Sequence, residues 1–582
     1  MRFVSSLARR TSGAVGIVSW LCIAAGCGSS SPGSTNPEPD ASAPDADAAS
    51  DDEQGDAGSS SADVVEAASE GAADGGTPDA SMPETNDASS LRNGGFEQGL
   101  SGWTSSGDTT AVYIESLNPH SGTRDLAIRG DQSYAVTTQQ TMGQLPPGSY
   151  TLRAWLKSST DITNAYLFWQ SGADAMRTVS IPPGLSSALR LTLPNIDVSD
   201  GPGTVGVHVE GPANSWIALD DVELFQGEPV FDPAYWLGGD ISYRRELANV
   251  GVTFTDDAGE TRDVLDILRD KGANFVRIRI YNHPGSPDHF PSSQLVPDFQ
   301  DAADAIVNAK DAADRGMHLL VSFHYSDSWT NPGTQYKPFE WQDLAFSDLT
   351  TAVYDYTLSV MQALAAQGTA PDIVSIGNET NVGMMWPDGR IGSDGTNFVQ
   401  FAALFNAGAK AVKDVFPDAK VAVHLANPDQ RPEVWLGWAL SNRLNYDVVG
   451  LTMYPFWSNM SVGAMKSVVD RVTQATGKSV VALETGFPWS LVRQNGYPTL
   501  ISSNSLNPEG PETFGVSPAG QELYLRSFFQ QMHEARGFVG ALYWDPIWID
   551  TPQLSSNVGD TALFDWNAKS LPGLNAFGEK FW

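Results

Sequence analysis

The sequence predicts an eight-stranded (β/α)₈ barrel preceded by an antiparallel β-sandwich. Three observations lead to this fold class. The chain has 582 residues, which exceeds what one ordinary hydrophobic core supports. Short alternating segments separated by Gly, Pro and Ser turns fill residues 91–227. Eight apolar segments then alternate with helical segments up to the C-terminus, which is the pattern of a barrel with parallel strands.

Residues 1–27 are predicted to form an export leader. Arg2, Arg9 and Arg10 precede the apolar segment GAVGIVSWLCIAA, which is too short to span a bilayer comfortably. The segment AAGC, ending at Cys27, resembles a bacterial lipoprotein cleavage box, in which the cysteine becomes the lipidated first residue. The alternative is an ordinary signal peptide that contains a cysteine. We therefore expect an exported protein held at a membrane or cell surface through Cys27, or otherwise secreted.

Residues 28–90 are predicted to be a disordered acidic linker. They hold 15 Asp and Glu and no Lys or Arg, and they are otherwise mostly Ala, Ser, Gly and Pro. Such a segment cannot bury enough apolar surface to offset the entropy of ordering. The formal net charge of the whole chain is -35. Because a nucleic-acid-binding protein needs a basic surface, this balance argues against that class.

Residues 91–227 read as a β-sandwich. In SYTLRAWLKS, apolar and polar positions alternate, which predicts a strand with one buried face. Trp155 falls on the polar face beside Arg153 and Lys157. It is therefore a candidate platform for stacking a sugar ring, and the alternative is an aromatic covered by neighbouring side chains. Both cysteines, Cys22 and Cys27, precede this region, so no disulfide is expected in the folded part.

Residues 228–582 read as the (β/α)₈ domain. The predicted strands are WLGGDIS, NFVRIRI, LLVSFHYSD, DIVSIGNE, KVAVHLAN, DVVGLTMYP, SVVALETG and VGALYWDP. Helical patterns lie between them, as in FQDAADAIVNAKDAADRG and DLTTAVYDYTLSVMQALAAQG. Gly316 and Gly368 are placed where these two helices should end. Chemistry in such a barrel lies at the C-terminal ends of the strands.

Polar side chains collect at those ends, and two of them form a catalytic pattern. Glu379 ends the fourth predicted strand and Glu484 lies on the seventh, and these two strands face each other across a barrel. A retaining glycosidase needs one protonated carboxyl and one nucleophilic carboxylate, about 5–5.5 Å apart. For either glutamate alone, a salt bridge at the rim would explain the residue equally well.

The barrel segments GGDIS, FHYSDSWTNPG, IVSIGNETNVGMMWPDGR, TMYPFW, VALETGFPW and ALYWDPIWI resemble glycoside hydrolase family 53, the endo-β-1,4-galactanases. The resemblance implies net retention, with β-1,4-galactan of pectic arabinogalactan as the substrate. It also implies that Glu379 is the proton donor and base, and that Glu484 is the nucleophile. NGGFEQGLSGW and IALDDVELF resemble the ends of jelly-roll carbohydrate-binding modules of the galactose-binding-like kind.

The same resemblance implies supporting roles. Asn378 would bond the sugar 2-hydroxyl, while Tyr454 and Arg279 would hold the nucleophile. Arg277, which points the same way as Arg279, is the alternative to it. The implied substrate-binding residues are Asp240, His324, Asp327, Trp386, His424, Asn427 and Trp544. The sequence departs from the family pattern at Asp545, where a Glu is common, and in HLANPD.

No cofactor is expected, since two carboxyl groups suffice for the reaction. Some bacterial family members bind calcium after the seventh strand, but residues 490–510 contain no Asp and one Glu here, so no metal is expected in the barrel. Glu97 and Asp221 could hold a structural calcium ion in the sandwich, and solvated carboxylates are the alternative. We expect a monomer.

Three other functions are compatible with parts of the pattern. A mannanase or xylanase would share both glutamates, but not obviously FHYSDSWTNPG. A non-catalytic glycan-binding lipoprotein would not need both glutamates. A glycosyl-transferring enzyme of the same fold would differ only in the acceptor that replaces water.

Overall fold

The structure is a computed structural model that describes residues 91–172, 175–185, 187–199, 201–285, 295–492, 514–554, 556 and 558–581. The predicted leader, the linker and Cys27 lie outside the described residues. Most of the loop that follows the seventh barrel strand also lies outside them. No helix in the described ranges is long and apolar enough to cross a membrane.

The first folded region is an antiparallel β-sandwich of two five-stranded sheets. Its strands are β1 Thr104–Gly107, β2 Val112–Glu115, β3 Asp125–Arg129, β4 Tyr134–Leu145, β5 Gly148–Ser158, β6 Asn164–Ser171, β7 Arg177–Ser180, β8 Leu189–Val198, β9 Gly201–Gly211 and β10 Trp216–Gln226. One sheet has the order β1-β4-β9-β6-β7, and the other has the order β2-β3-β10-β5-β8. The strands predicted in this region are confirmed.

The second region is a closed barrel of eight strands in the order of the chain. These are β11 Trp236–Asp240, β14 Phe275–Ile280, β15 His318–Phe323, β16 Ile373–Ile376, β19 Lys420–Leu425, β20 Val448–Thr452, β21 Ser479–Thr485 and β22 Phe538–Tyr543. Neighbouring strands are parallel, so all their C-terminal ends open at one face. The predicted fold class and all eight predicted strands are confirmed.

Helices and two small hairpins surround the barrel. The helices are α1 Arg244–Asn249, α2 Val264–Asp270, α3 Ala302–Ala313, α4 Phe346–Ala366, α5 Phe398–Val415, α6 Pro432–Ser441, α7 Pro455–Ser458, α8 Val462–Thr476 and α9 Pro518–His533. The hairpins pair β12 Phe254–Thr255 with β13 Thr261–Arg262, and β17 Gly383–Met384 with β18 Gly389–Arg390. Gly316 and Gly368 follow α3 and α4 at φ of 72° and 77°, the left-handed region that glycine tolerates.

Side-chain alternation along the strands explains why the barrel interior changes from apolar to polar. Phe275, Leu320, Ile373 and Ala422 belong to one buried apolar cluster contributed by neighbouring strands. Side chains two residues further along a strand point the same way. Those positions hold Arg277, Ser322, Ser375 and His424, all of them fully buried. A polar layer therefore lies directly above the apolar one, towards the catalytic face.

The sandwich contacts the barrel domain through its edge strand β8. The side-chain amide of Gln530 on α9 accepts a hydrogen bond from the backbone N–H of Arg190 at 2.8 Å and donates to its carbonyl oxygen at 3.1 Å. Ser527 and Gln531 both donate to the carbonyl of Ala188, at 2.8 and 2.9 Å. Side chains of α9 thus make bonds that a neighbouring strand would make.

This contact overturns the prediction that Trp155 is a sugar-stacking platform. Trp155 is only 4% exposed. Its ring stacks on His120 at a centroid distance of 3.9 Å, and the Arg190 guanidinium lies 5.6 Å from it. His120 in turn contacts Asp221 at 2.8 Å and Glu534 of the barrel domain at 3.0 Å. The polar face of β5 is covered at the junction, which the alternation pattern alone could not reveal.

Candidate active site

The two predicted catalytic glutamates meet at the mouth of the barrel. Glu379 is the third residue after the end of β16, and Glu484 is the penultimate residue of β21. A carboxylate oxygen of each lies within 4.8 Å of the other. This spacing is close to that of a retaining pair and shorter than the roughly 6.5–9.5 Å of an inverting pair. The geometry therefore suits direct attack by one carboxylate.

Glu379 has the environment of a proton donor. Burial, followed by the nearby charge of Glu484, raises the pKa of Glu379 to about 8. Its Oε1 accepts a hydrogen bond from the Thr452 hydroxyl at 2.7 Å. Its backbone is in the left-handed region, with φ of 49°, which is uncommon for a residue with a side chain. Glu379 is thus held in a specific conformation and is protonated at neutral pH.

Glu484 has the environment of a nucleophile. Its Oε1 accepts a hydrogen bond from Arg277 at 2.6 Å, and its Oε2 accepts one from the Tyr454 hydroxyl at 3.2 Å. Burial raises the pKa of Tyr454 well above its ordinary value, so this hydroxyl stays a donor. Two donors, one of them a cation, stabilise the carboxylate form and fix its orientation.

Arg277 links the two catalytic strands. Besides Glu484, it donates to the side-chain oxygen of Asn378 at 2.8 Å. The amide nitrogen of Asn378 donates to the carbonyl of Thr330 at 2.9 Å. The amide of Asn378 is therefore fixed beside Glu379 by contacts from two other strand ends. Its bond to a sugar 2-hydroxyl stays a prediction.

The expected contact between Arg279 and the nucleophile is wrong, because Arg277 makes it. Arg279 instead forms ion pairs with Asp240 and Asp545, each at 3.1 Å. Its guanidinium lies 5.1 Å from the ring of Tyr243 and 5.1 Å from the ring of Trp329. Arg279 therefore packs against the aromatic rings of Tyr243 and Trp329 and does not contact the nucleophile.

Two predicted substrate-binding carboxylates are not available to a substrate. Asp240 is fully buried and pairs with Arg279, and it also accepts a hydrogen bond from the backbone of Ser242. Asp327 is fully buried, and its two oxygens accept hydrogen bonds from the backbone of His283 and Phe339, both at 2.9 Å. Both predictions are wrong, because Asp240 pairs with Arg279 and Asp327 holds the loop segments at His283 and Phe339.

The remaining predicted residues lie around the mouth. His324 is buried, with Nδ1 at 2.7 Å from the Thr330 hydroxyl and no hydrogen-bond partner for Nε2 in the described part of the chain. Asn427, Trp386 and Trp544 are half-buried. One face of Trp386 is covered by Arg390, at 4.5 Å. Their roles in sugar binding stay predictions.

Sequence reasoning missed two residues of the site, Thr452 and Trp329, whose ring packs against Arg279. Thr452 ends β20 and bonds both Glu379 and the Nε2 of His424, the latter at 2.9 Å. His424 is fully buried, so its predicted contact with substrate is replaced by this internal one. Trp329 lies in the FHYSDSWTNPG segment, stacked on Trp548 at 5.8 Å. Its place in a recognisable motif was the available signal.

Glu379, His424 and Glu484 also form the one group in the described residues whose spacing could suit a metal ion. Two contacts disfavour a cation there. The guanidinium of Arg277 already neutralises Glu484, and the hydroxyl of Thr452 is directed at Glu379. These contacts account for the spacing of the three residues without an ion.

Residues 236–577, more than half of the chain, match the model of glycosyl hydrolase family 53. The chain belongs to glycosyl hydrolase family 53. It is therefore a glycoside hydrolase, and Glu379 and Glu484 occupy the catalytic mouth of its family 53 barrel.

Relatives and solved structures agree with this family. The chain is 32% identical to an arabinogalactan endo-beta-1,4-galactanase of Cellvibrio japonicus, over 54% of this chain and 81% of that protein. It is 28% identical to an endo-beta-1,4-galactanase of Bacillus subtilis, over 58% and 84%. A family 53 catalytic domain from Ignisphaera aggregans superposes with a TM-score of 0.55 at 30% identity, covering 60% of this chain and 98% of that one.

Proposed function

We propose that this family 53 protein is an endo-acting, retaining glycosidase that hydrolyses β-1,4-galactosidic linkages in galactan, including the side chains of type I arabinogalactan. The observation that carries this proposal is that Glu379, whose pKa is raised by burial, lies within 4.8 Å of a Glu484 that accepts a hydrogen bond from Arg277. The relatives from Cellvibrio japonicus and Bacillus subtilis, both described as galactanases, support galactan as the substrate.

The geometry suggests a two-step reaction. In the first step, Glu484 attacks the anomeric carbon while Glu379 gives its proton to the glycosidic oxygen, which leaves with the shortened chain. In the second step, Glu379, now a carboxylate, takes a proton from water as the water oxygen attacks the same carbon. Glu484 leaves as a carboxylate, and the two inversions give net retention. Both reacting groups are side chains, so the reaction needs no cofactor.

The direct test is product analysis on β-1,4-galactan, mannan, xylan and cellulose, with Glu484→Gln as the inactive control. We expect oligosaccharides of intermediate length from galactan and none from the other three. Cleavage of mannan or xylan in preference to galactan would overturn the substrate assignment. Longer products from added acceptor sugars would reveal that transfer competes with hydrolysis.

We further propose that the sandwich binds β-galactan, through the outer face of the β1-β4-β9-β6-β7 sheet rather than through Trp155. Tyr166 lies half-buried on that face and stacks on His208 at 5.1 Å. The His208 ring is fixed by Thr137 at 2.8 Å and Glu210 at 3.0 Å. An aromatic ring beside fixed polar groups offers both stacking area and hydrogen bonds to a sugar.

We propose a structural calcium ion in the sandwich at Asp125 and not at Glu97 and Asp221, the residues that the sequence suggested. The carboxylate oxygens of Glu97 are bonded by Thr123 and Arg124, and those of Asp221 by Ser121 and His120. Asp125 is fully buried, and within the described ranges neither of its oxygens accepts a hydrogen bond of good geometry. Burial raises the pKa of Asp125 to about 6. A bound cation would satisfy these oxygens.

Chelation tests this proposal. Removing calcium should lower the melting temperature of the native protein and leave that of Asp125→Asn unchanged. Equal melting temperatures with and without chelator in the native protein would reject the ion.

We also propose that the protein is exported and anchored at a membrane or cell surface through a lipid on Cys27, and that it acts as a monomer. The support is the basic and apolar leader, the AAGC segment and the acidic linker after it. Such a linker would let a tethered enzyme reach a polymer that cannot enter the cell.

A further inference from the structure

One buried hydroxyl, that of Thr452, connects the acid/base glutamate to a neutral histidine on β19. The Thr452 hydroxyl lies 2.7 Å from Oε1 of Glu379 and 2.9 Å from Nε2 of His424. Thr452 is 6% exposed and His424 is fully buried. Nδ1 of His424 is buried and has no hydrogen-bond partner among the residues that the structure describes. Water therefore has little access to this chain of contacts.

The donor directions in this chain follow from hydrogen counting. A hydroxyl has a single hydrogen and can also accept. When Glu379 is ionised, the hydrogen of Thr452 must point at Oε1, so Thr452 accepts from His424. Burial and the charge of Arg277 lower the pKa of His424 well below its ordinary value, so the ring is neutral and carries one N–H. That hydrogen is then on Nε2.

The opposite direction is disfavoured in the protonated enzyme as well. It would place the proton of Glu379 on Oε1, pointing at Thr452, and the hydrogen of His424 on Nδ1. No described residue accepts a hydrogen bond from Nδ1, so a buried N–H donor there would be left unsatisfied. Orphaned buried donors are rarer in proteins than under-satisfied acceptors. The arrangement with hydrogen on Nε2 leaves only a lone pair without a partner.

We propose that His424 and Thr452 are positioning residues that occupy Oε1 of Glu379 and thereby confine the catalytic proton to Oε2. This inference rests on the proposed glycosidase function. In the first step, the proton passes from Oε2 to the leaving glycosidic oxygen as the Glu484 oxygen bonds to the anomeric carbon. In the second step, a water proton returns to Oε2 as the water oxygen displaces Glu484. Neither His424 nor Thr452 gains or loses a proton overall.

Other charged and titratable groups also act on Glu379, and a test must separate them from the Thr452 contact. Glu484 on β21 and Arg277 on β14 act on it with opposite sign. Tyr454, just after β20, faces both glutamates. His324, directly after β15, lies close enough to His424 to interact with it. Substituting Thr452 leaves all of these groups in place.

The first measurement does not depend on activity. The full-length protein carrying ¹³C-labelled glutamate carboxyls is titrated by NMR, with Glu379 assigned from the Glu379→Gln variant. Loss of a hydrogen bond to the ionised form should raise the pKa of Glu379 by about one to two units in Thr452→Val. Thr452→Ser, which keeps the hydroxyl, should restore it. ¹⁵N shifts of His424 should show hydrogen on Nε2; hydrogen on Nδ1 would overturn the proposal.

The second measurement uses kinetics and separates this inference from the proposed function. On galactan, Thr452→Val should lose about 10- to 100-fold in kcat, and its alkaline limb should move to higher pH. An activated aryl β-galactoside, which needs little protonation, should lose much less. Equal losses on both substrates with an unmoved alkaline limb and no rescue by Thr452→Ser would overturn the proposal. If native protein cleaves neither substrate, the proposed function fails and the NMR titration still decides the inference.

Discussion

Arg277 donates a hydrogen bond to Glu484 at 2.6 Å, whereas Arg279, two residues further along the same strand, forms ion pairs with Asp240 and Asp545. Both arginines are fully buried and point into the barrel. Only the first reaches the nucleophile. β14 therefore supplies Arg277 to Glu484, and it supplies Arg279 to the neighbouring aromatic rings of Tyr243 and Trp329.

This difference predicts unequal effects of matched substitutions. Arg277→Lys should reduce kcat/KM about 10- to 100-fold, because a charge-assisted hydrogen bond is worth about 1.5–3 kcal/mol and lysine cannot bridge Glu484 and Asn378 together. The loss should be similar on galactan and on an aryl galactoside, since the nucleophile serves both. Arg279→Lys is the control and should chiefly raise KM. A larger kcat loss in Arg279→Lys would reverse the assignment.

The roles of the two glutamates are separable by leaving group and by azide. Glu484→Gln should abolish turnover of every substrate. Glu379→Gln should spare an activated aryl galactoside relative to galactan by roughly 10²–10⁴-fold, the usual worth of general acid–base help. Azide should restore turnover of Glu379→Gln and yield a β-glycosyl azide. A β-product from Glu484→Gln with azide would mean that the roles are exchanged.

The raised pKa of Glu379 also predicts how stability depends on pH. Between about pH 4.5 and 8, the folded state keeps a proton that the unfolded state has lost, so the free energy of unfolding falls as pH rises. Glu379→Gln has no such proton to lose. Its stability advantage over the native protein should grow from pH 4.5 to 8 and level off above. Denaturant titrations at fixed pH values measure this, and a constant difference would contradict it.

Trp155 and Tyr166 should respond in opposite ways to alanine substitution in the full-length protein. Trp155→Ala should lower the melting temperature, because removing a buried Trp costs about 3–5 kcal/mol. Tyr166→Ala should leave the melting temperature nearly unchanged and weaken retention on galactan in affinity electrophoresis. Both variants also carry Glu484→Gln, so that they do not hydrolyse the galactan in the gel. Normal retention of Tyr166→Ala would reject galactan binding at the outer face of the β1-β4-β9-β6-β7 sheet.

Cys27→Ser should release the protein from membranes and abolish acylation, because Cys27 is the only cysteine that would remain after cleavage. Fractionation and mass spectrometry of the native protein measure both effects. An unmodified mature N-terminus at another position would contradict the lipid anchor.

The parts of the molecule that could be predicted are those encoded in periodicity and motif. The eight barrel strands and the positions of Glu379 and Glu484 follow from strand alternation and the rule that sites lie at strand ends. The choice between Arg277 and Arg279 could not follow, because both share one strand face and only the depth in the barrel separates them. Thr452 begins the TMYPFW segment, but a threonine at a strand end does not reveal which side chain it contacts. The burial of Trp155 depends on a second domain, which a local pattern does not register.

The amide of Gln530 gives the sandwich a boundary that is part of another domain. On the free side of β8 it satisfies both backbone groups of Arg190, and its neighbours bond Ala188. A sandwich cut away from the barrel would expose these groups as an open sheet edge, which invites pairing with a second copy and aggregation. Poor solubility of the severed module would thus reflect a missing cover and not a defect in its own fold.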